Sequence, residues 1–161
     1  MIETERLELR RLRSGDEGDL VDLYADPEVR RFISSAGQFD GAEATTRVAS
    51  ADEDWAGGRR TLMVHERATG RFLGRIAIID WSQFGETEVG WVFAERGRGR
   101  GYATEAARAA QEWAFEQLGI PYVIALIRPD NAASIAVAER LGMSPIRNDE
   151  LFGIPVVVYS R

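Results

Sequence analysis

Among its 161 residues the chain has no cysteine, no lysine and a single histidine, His65. Without cysteine there is no disulfide, no thiolate metal site and no acyl-cysteine intermediate. Without lysine there is no Schiff-base chemistry and no Walker-type phosphate lysine, since all 20 basic residues are arginine. One histidine excludes a histidine metal cluster, and its flanks, Thr61-Leu62-Met63-Val64 and Glu66-Arg67, read as a strand beside a turn. Long hydrophobic runs are missing as well. Nothing approaches the roughly 18 apolar residues that span a membrane. Met1-Ile2-Glu3-Thr4-Glu5-Arg6 lacks the basic-then-apolar pattern of a secretion signal, so a cytoplasmic location without membrane association is expected. A basic excess is absent too: the net charge of −6 argues against a nucleic-acid partner and suits a cationic one.

What is present fits one domain over residues 1–161, with no repeat, linker or low-complexity tract. Arg6-Leu7-Glu8-Leu9-Arg10 alternates polar and apolar and predicts a first strand. Ser14 or Asp16 is placed to cap a helix through Leu20, Leu23 and Tyr24, and Asp26-Pro27 restarts the chain into a short helix. After breaks at Gly37 and Gly41, the spacing of Ala44, Val48, Ala51 and Trp55 predicts one helix from Ala42 to Trp55. Three strands follow: Arg60 to Glu66, Arg71 to Asp80 beyond a hairpin at Ala68-Thr69-Gly70, and Glu86 to Phe93. A helix from Tyr102 to Leu118 stops at Gly119, and the apolar run Tyr122 to Ile127 reads as a buried strand. Asn131 opens a helix ending at Leu141-Gly142, and Met143 to Arg147 with Ile154 to Ser160 closes the chain as a strand pair. The order predicts an α/β domain around one mixed sheet.

Arg96-Gly97-Arg98-Gly99-Arg100-Gly101-Tyr102-Ala103 lies between the predicted strand ending at Phe93 and the helix opening at Tyr102. Glycines at alternate positions remove the Cβ atoms that would hold an anion off the main chain. The unpaired N–H groups at the helix start, with the positive end of its dipole, then make an anion site. A dinucleotide fingerprint would need glycine at 102 or 104, where Tyr102 and Thr104 stand. R-x-x-G-x-G does fit, from Arg96 through Gly99 to Gly101.

That loop resembles the pyrophosphate loop of the GCN5-related N-acetyltransferases, the GNAT family, which use acetyl-coenzyme A. Two further anchors carry the resemblance. In Asn131 to Met143, asparagine, a short helix and Leu141-Gly142 fall at the family's spacing, with Met143 in place of the commoner phenylalanine. The opening Thr4-Glu5-Arg6-Leu7-Glu8-Leu9-Arg10 looks like the RimJ/RimL type, the N-terminal acetyltransferases of ribosomal proteins. The resemblance covers essentially the whole chain. It implies a mostly antiparallel central sheet of about seven strands, flanked by helices and splayed between the fourth and fifth.

It also implies acetyl-coenzyme A as cosubstrate, no metal, and direct acetyl transfer to a primary amine, either a protein N-terminus or a small molecule. The cofactor is expected along Trp91, Val92 and Phe93 and on the loop residues Arg96, Arg98, Gly99, Arg100, Gly101, Tyr102 and Ala103, with Asn131 and Ser134 beside its arm. Glu88 resembles the family's proposed base on the fourth strand, and Glu86 is a nearby alternative. The tyrosine that many members use to protonate the leaving thiolate falls at Ala138 here, while Ser134 matches a serine common in the RimJ/RimL branch. A non-catalytic acyl-coenzyme A sensor is the second reading. A monomer or homodimer is expected, and Phe32 to Phe39 carries no motif that names the acceptor.

Overall fold

The computed structural model describes residues 1–33 and 39–161. The break expected at Gly37 and the middle of Phe32 to Phe39 lie outside the described residues. Eight strands form one sheet: β1 (Ile2–Glu3), β2 (Leu7–Arg11), β3 (Arg59–Glu66), β4 (Phe72–Trp81), β5 (Glu86–Phe93), β6 (Ile124–Ile127), β7 (Ser144–Leu151) and β8 (Ile154–Ser160). Their spatial order is β1-β2-β3-β4-β5-β6-β8-β7. Every neighbouring pair is antiparallel except β5 with β6. The eighth strand relative to the expected seven is β1, two residues too short to carry a periodic signal.

The helices are α1 (Glu17–Ala25), α2 (Pro27–Phe32), α3 (Gly41–Ala49), α4 (Ala51–Ala56), α5 (Tyr102–Leu118) and α6 (Ala132–Arg140). The single helix expected from Ala42 to Trp55 is two, divided at Ser50. Ser50 is the C-cap of α3 and the N-cap of α4, so the apolar spacing continues across a break in the backbone. Asp16 stands at the N-cap of α1 but makes no capping bond; its carboxylate is held by both terminal nitrogens of Arg10 at 2.7 and 2.8 Å.

The two sheet faces carry two cores. On one, Leu7, Leu9, Leu62, Ile76, Ile78 and Val89 pack beneath α5, which presents Ala106, Ala107, Ala110 and Ala114. Methyl side chains let that helix lie close to the strands, so the loop before it is held firmly. On the other, Met63, Phe72 and Val92 pack under α1 and α3 through Leu20, Leu23, Tyr24 and Ala44.

The feature that opens a site is the junction of β5 with β6. Parallel pairing there consists of one register pair, Glu88 with Ile124, although β5 continues to Phe93 and β6 to Ile127. Beyond that pair the strands part, which leaves main-chain groups of β5 without the ladder bonds a continuous sheet would supply.

Candidate active site

Two cavities flank this splay and meet at it. The larger, of about 940 Å³, runs from Phe93 along Arg98, Gly99, Gly101, Ala103 and Thr104 at the start of α5. The smaller, of about 460 Å³, lies over β3, β4 and β5 and includes Trp81 and Glu88. Trp91, Val92, Asn131 and Ser134 line both. A ligand in one cavity therefore reaches a ligand in the other at the mouth of the splay.

Local sequence explains the larger cavity. A 3-10 turn at Glu95–Gly97 lifts the chain off β5. Gly97 must be glycine, because a Cβ there would stand 2.9 Å from the Leu73 carbonyl and from the Phe93 ring. Gly74 on β4 is a second such place, where a Cβ would collide with the Val92 carbonyl oxygen. Gly99 and Gly101 have φ of +72° and +78°, values that side chains disfavour. Open space at Gly99, and only Arg6 Nη2 at 3.5 Å from a Cβ at Gly101, leave the main chain of this turn bare. Gly101 is the N-cap of α5 and no side chain caps that helix. Its first N–H groups and the dipole thus offer a positive end, since the first-turn carboxylate of Glu105 is engaged by Arg6 and Thr4. Thr104 Oγ1, on the cavity wall, is buried with no hydrogen-bond partner among the described residues. Bare backbone, an uncapped helix start and an orphaned hydroxyl fit a phosphate-bearing ligand such as coenzyme A.

The expected loop side chains divide. Arg98 lines the cavity; its Nε donates to the Phe93 carbonyl at 3.0 Å and Nη2 to Asp26 Oδ2 at 2.6 Å, which ties α2 to the loop. Arg96 points to β4, where Nε donates to the Phe72 carbonyl at 2.7 Å. The Tyr102 hydroxyl donates to Glu66 Oε1 at 2.6 Å, and the ring is buried beneath the Arg6 guanidinium. Arg100 is exposed and its carbonyl accepts from Arg6 Nη1 at 2.9 Å. The side chains of Arg96 and Tyr102 thus brace the loop, and neither they nor Arg100 line the cavity.

In the smaller cavity Glu88 has company that no sequence motif announced. Trp81 Nε1 donates to Glu88 Oε2 at 2.7 Å. Burial pushes the Glu88 carboxyl above the ordinary carboxylate range, against the Trp81 bond, the Leu126 N–H and the more distant charges of Arg75 and Arg59. Gly90 keeps the carboxylate clear, since a Cβ there would stand 3.2 Å from Glu88 Oε1. Glu86, the alternative base, is differently placed: both terminal nitrogens of Arg147 bind its carboxylate, at 3.3 and 2.5 Å, and it lines neither cavity. Asn131 Oδ1 accepts from the Ser134 N–H at 3.1 Å, capping α6 and holding Ser134 at the junction. Ala138 is fully buried in the core under α5 and α6 and reaches neither cavity.

A sheet splayed between its central parallel strands, with a glycine turn feeding the following helix, defines an acetyltransferase of the GNAT class. The chain belongs to that family: residues 6–144 match the acetyltransferase (GNAT) domain. Among its relatives is YkkB of Bacillus subtilis, 35% identical over 98% of this chain and 93% of that protein. An acetyltransferase from Agrobacterium tumefaciens shares the fold at a TM-score of 0.81, with 34% identity over 99% of this chain and 92% of that one. RimL, a ribosomal L7/L12 α-N-protein acetyltransferase whose structure contains coenzyme A, superposes at a TM-score of 0.84 and 18% identity, covering 98% and 94% of the two chains.

Proposed function

We propose that the protein is an acetyl-coenzyme A-dependent N-acetyltransferase that acts on a primary amine by direct transfer. The observation that carries this reading is the meeting of the two cavities at Trp91, Val92, Asn131 and Ser134. Bound acetyl-coenzyme A supplies the acyl group as an activated thioester. The N–H groups at the start of α5, with Gly99, Gly101 and Arg98, hold the pyrophosphate. Main-chain groups of Trp91 to Phe93 on the edge facing β6, where pairing stops at Glu88, align the arm and polarise the acyl carbonyl.

Glu88 takes the proton of the acceptor ammonium, through water, and leaves a nucleophilic amine. A raised pKa suits it to that role, because a base is most effective when its pKa approaches the working pH. Ser134 Oγ supplies the proton that the departing sulfur needs, since no tyrosine stands on α6 to do so. The chain has no cysteine to carry the acyl group, which supports a ternary complex. Thiol release from acetyl-coenzyme A against a panel of amines and short peptides tests the reading. Intersecting initial-rate lines with at least one acceptor are expected. Tight coenzyme A binding with no turnover of any amine would favour the sensor, and isolation of an acetyl-enzyme competent to acetylate an amine would refute direct transfer.

A further inference from the structure

The wall of the smaller cavity has an unusual charge balance for so acidic a chain. Four arginines, Arg47, Arg59, Arg75 and Arg128, face it against three carboxylates, Glu43, Asp54 and Glu88. Arg128 is matched by Asp130 at 3.3 Å and Arg47 by the exposed Glu43 at 3.2 Å. No carboxylate pairs with Arg75 among the described residues, and residues 34–38, Ser-Ser-Ala-Gly-Gln, contain none. Glu88 does not serve either: it feels the charge of Arg75 but forms no ion pair with it, and its Oε2 accepts from Trp81.

Arg75 is nonetheless held in place. Its Nε donates to the hydroxyl of Tyr24 at 2.6 Å, and Arg47 Nη1 approaches the same oxygen at 3.5 Å. Tyr24 is 1% exposed, so this phenol is a fixed post between two guanidinium groups. Two cations converging on one neutral oxygen in a half-enclosed cavity repel each other. With Nε committed to Tyr24, both terminal nitrogens of Arg75 remain to bind a planar or tetrahedral anion.

Position adds a second constraint. Arg75 stands opposite Val92 in the β4–β5 register, and strands lie about 5 Å apart, so the arginine springs from beside the junction of the two cavities. A group bound there shares the smaller cavity with Glu88 and the junction residues, within reach of the point of transfer for a small acceptor. Resting on the acetyltransferase reading above, we infer that Arg75, with Arg47 beside it, binds an anionic group of the acceptor, and that the acceptor is a small amine bearing a carboxylate or phosphate close to its nitrogen. A polyamine or a neutral peptide N-terminus lacks that group.

The test compares L-phenylalanine and phosphoethanolamine with L-phenylalaninamide, spermidine and an alanine-led peptide free of acidic residues, by thiol release. One anionic amine should exceed every neutral or cationic acceptor in kcat/KM by at least about tenfold, and which of the two leads identifies carboxylate or phosphate. Arg75→Gln should bring the anionic amine to within about twofold of the amide assayed with the same variant, a ratio from which any effect of the lost charge on Glu88 cancels. Tyr24→Phe, which removes the shared post and keeps the ring, should weaken the same preference in case the arginine variant does not fold. Calorimetry with N-acetyl-L-phenylalanine and its amide gives a readout free of turnover: the acid should bind more tightly, and Arg75→Gln should abolish the difference. Equal or better use of the amide, spermidine or peptide would overturn the inference and leave the acetyltransferase reading standing. If no amine is acetylated while the acid still binds through Arg75, that reading fails and the anion site remains. Equal binding of acid and amide removes the site.

Discussion

Asp16 and Glu88 are carboxylates enclosed on the same side of the sheet, and their surroundings drive them in opposite directions. Burial raises the Asp16 carboxyl, but the Arg10 hydrogen bonds, the Arg13 N–H and the Arg10 charge outweigh it, and its pKa falls below the ordinary range. For Glu88 the same burial is met by the Trp81 and Leu126 N–H groups and by charges that are not in contact, and the pKa rises. A paired carboxylate stabilises a fold and is chemically inert, whereas one desolvated and given only weak donors is a candidate base. The difference is one guanidinium within bonding distance.

The largest expected effect falls on the structural member. Asp16→Asn leaves Arg10 charged with one of its two bonds to residue 16 unmade, at a cost of about 3–5 kcal/mol in unfolding free energy. Urea denaturation reads this directly, and a loss below about 1 kcal/mol would place Asp16 among ordinary surface pairs. The two carboxylates should also differ in the sign of their pH dependence. Because the folded pKa of Asp16 is lowered, its contribution is present above the unfolded carboxylate pKa and is lost as pH falls through the folded value. Because that of Glu88 is raised, its ionisation opposes folding as pH climbs from the unfolded value through the folded one. Glu88→Gln should therefore gain stability relative to wild type on going from acid to neutral pH; a variant that loses stability there contradicts the assignment.

On activity, Glu88→Gln should cost at least about 10²-fold in kcat/KM near neutral pH and recover much of it at higher pH, where the amine is already deprotonated. An unchanged pH–rate profile would move the proton acceptance to bulk water. Gly99→Val or Gly101→Val should weaken coenzyme A binding at least about tenfold, through loss of the bare backbone and strain at positive φ. Calorimetry on protein verified as folded decides this, and unchanged affinity in both variants rejects the loop as the phosphate site. The smallest effect is expected from Trp81→Phe. Without its N–H the ionised Glu88 is less favoured, so the acid limb of the rate profile should move to higher pH while the plateau is nearly kept. A limb that stays in place uncouples Trp81 from the reaction.

Much of the comparison was readable in the chain and part of it was not. Alternation in Arg6 to Arg10, the alanine face of α5 and the punctuation at Gly119 and Asn131 are local signals, and elements form there, the first strand one residue later at Leu7–Arg11. Glu88 and Ser134 were singled out by strand or helix position and by family resemblance, and Gly99 and Gly101 by their spacing before a helix. The break at Ser50 was not legible, because helical periodicity records which side chains face inward and continues across a change of backbone direction. Nor were the partners: Trp81 for Glu88, Arg10 for Asp16, Arg147 for Glu86 and Tyr24 for Arg75.

The sequence by itself determined the order of elements, the glycine turn that leaves backbone bare ahead of a helix, and the chemistries ruled out by missing cysteine and lysine. These depend on residue type and on neighbours a few positions away. Only the tertiary structure decided which loop arginine faces the cavity, where the two cavities meet, and which carboxylate remains unpaired. Charge pairing and desolvation act between groups brought together from distant points in the chain. Arg75 and Tyr24, 51 residues apart, are one hydrogen bond apart in the fold.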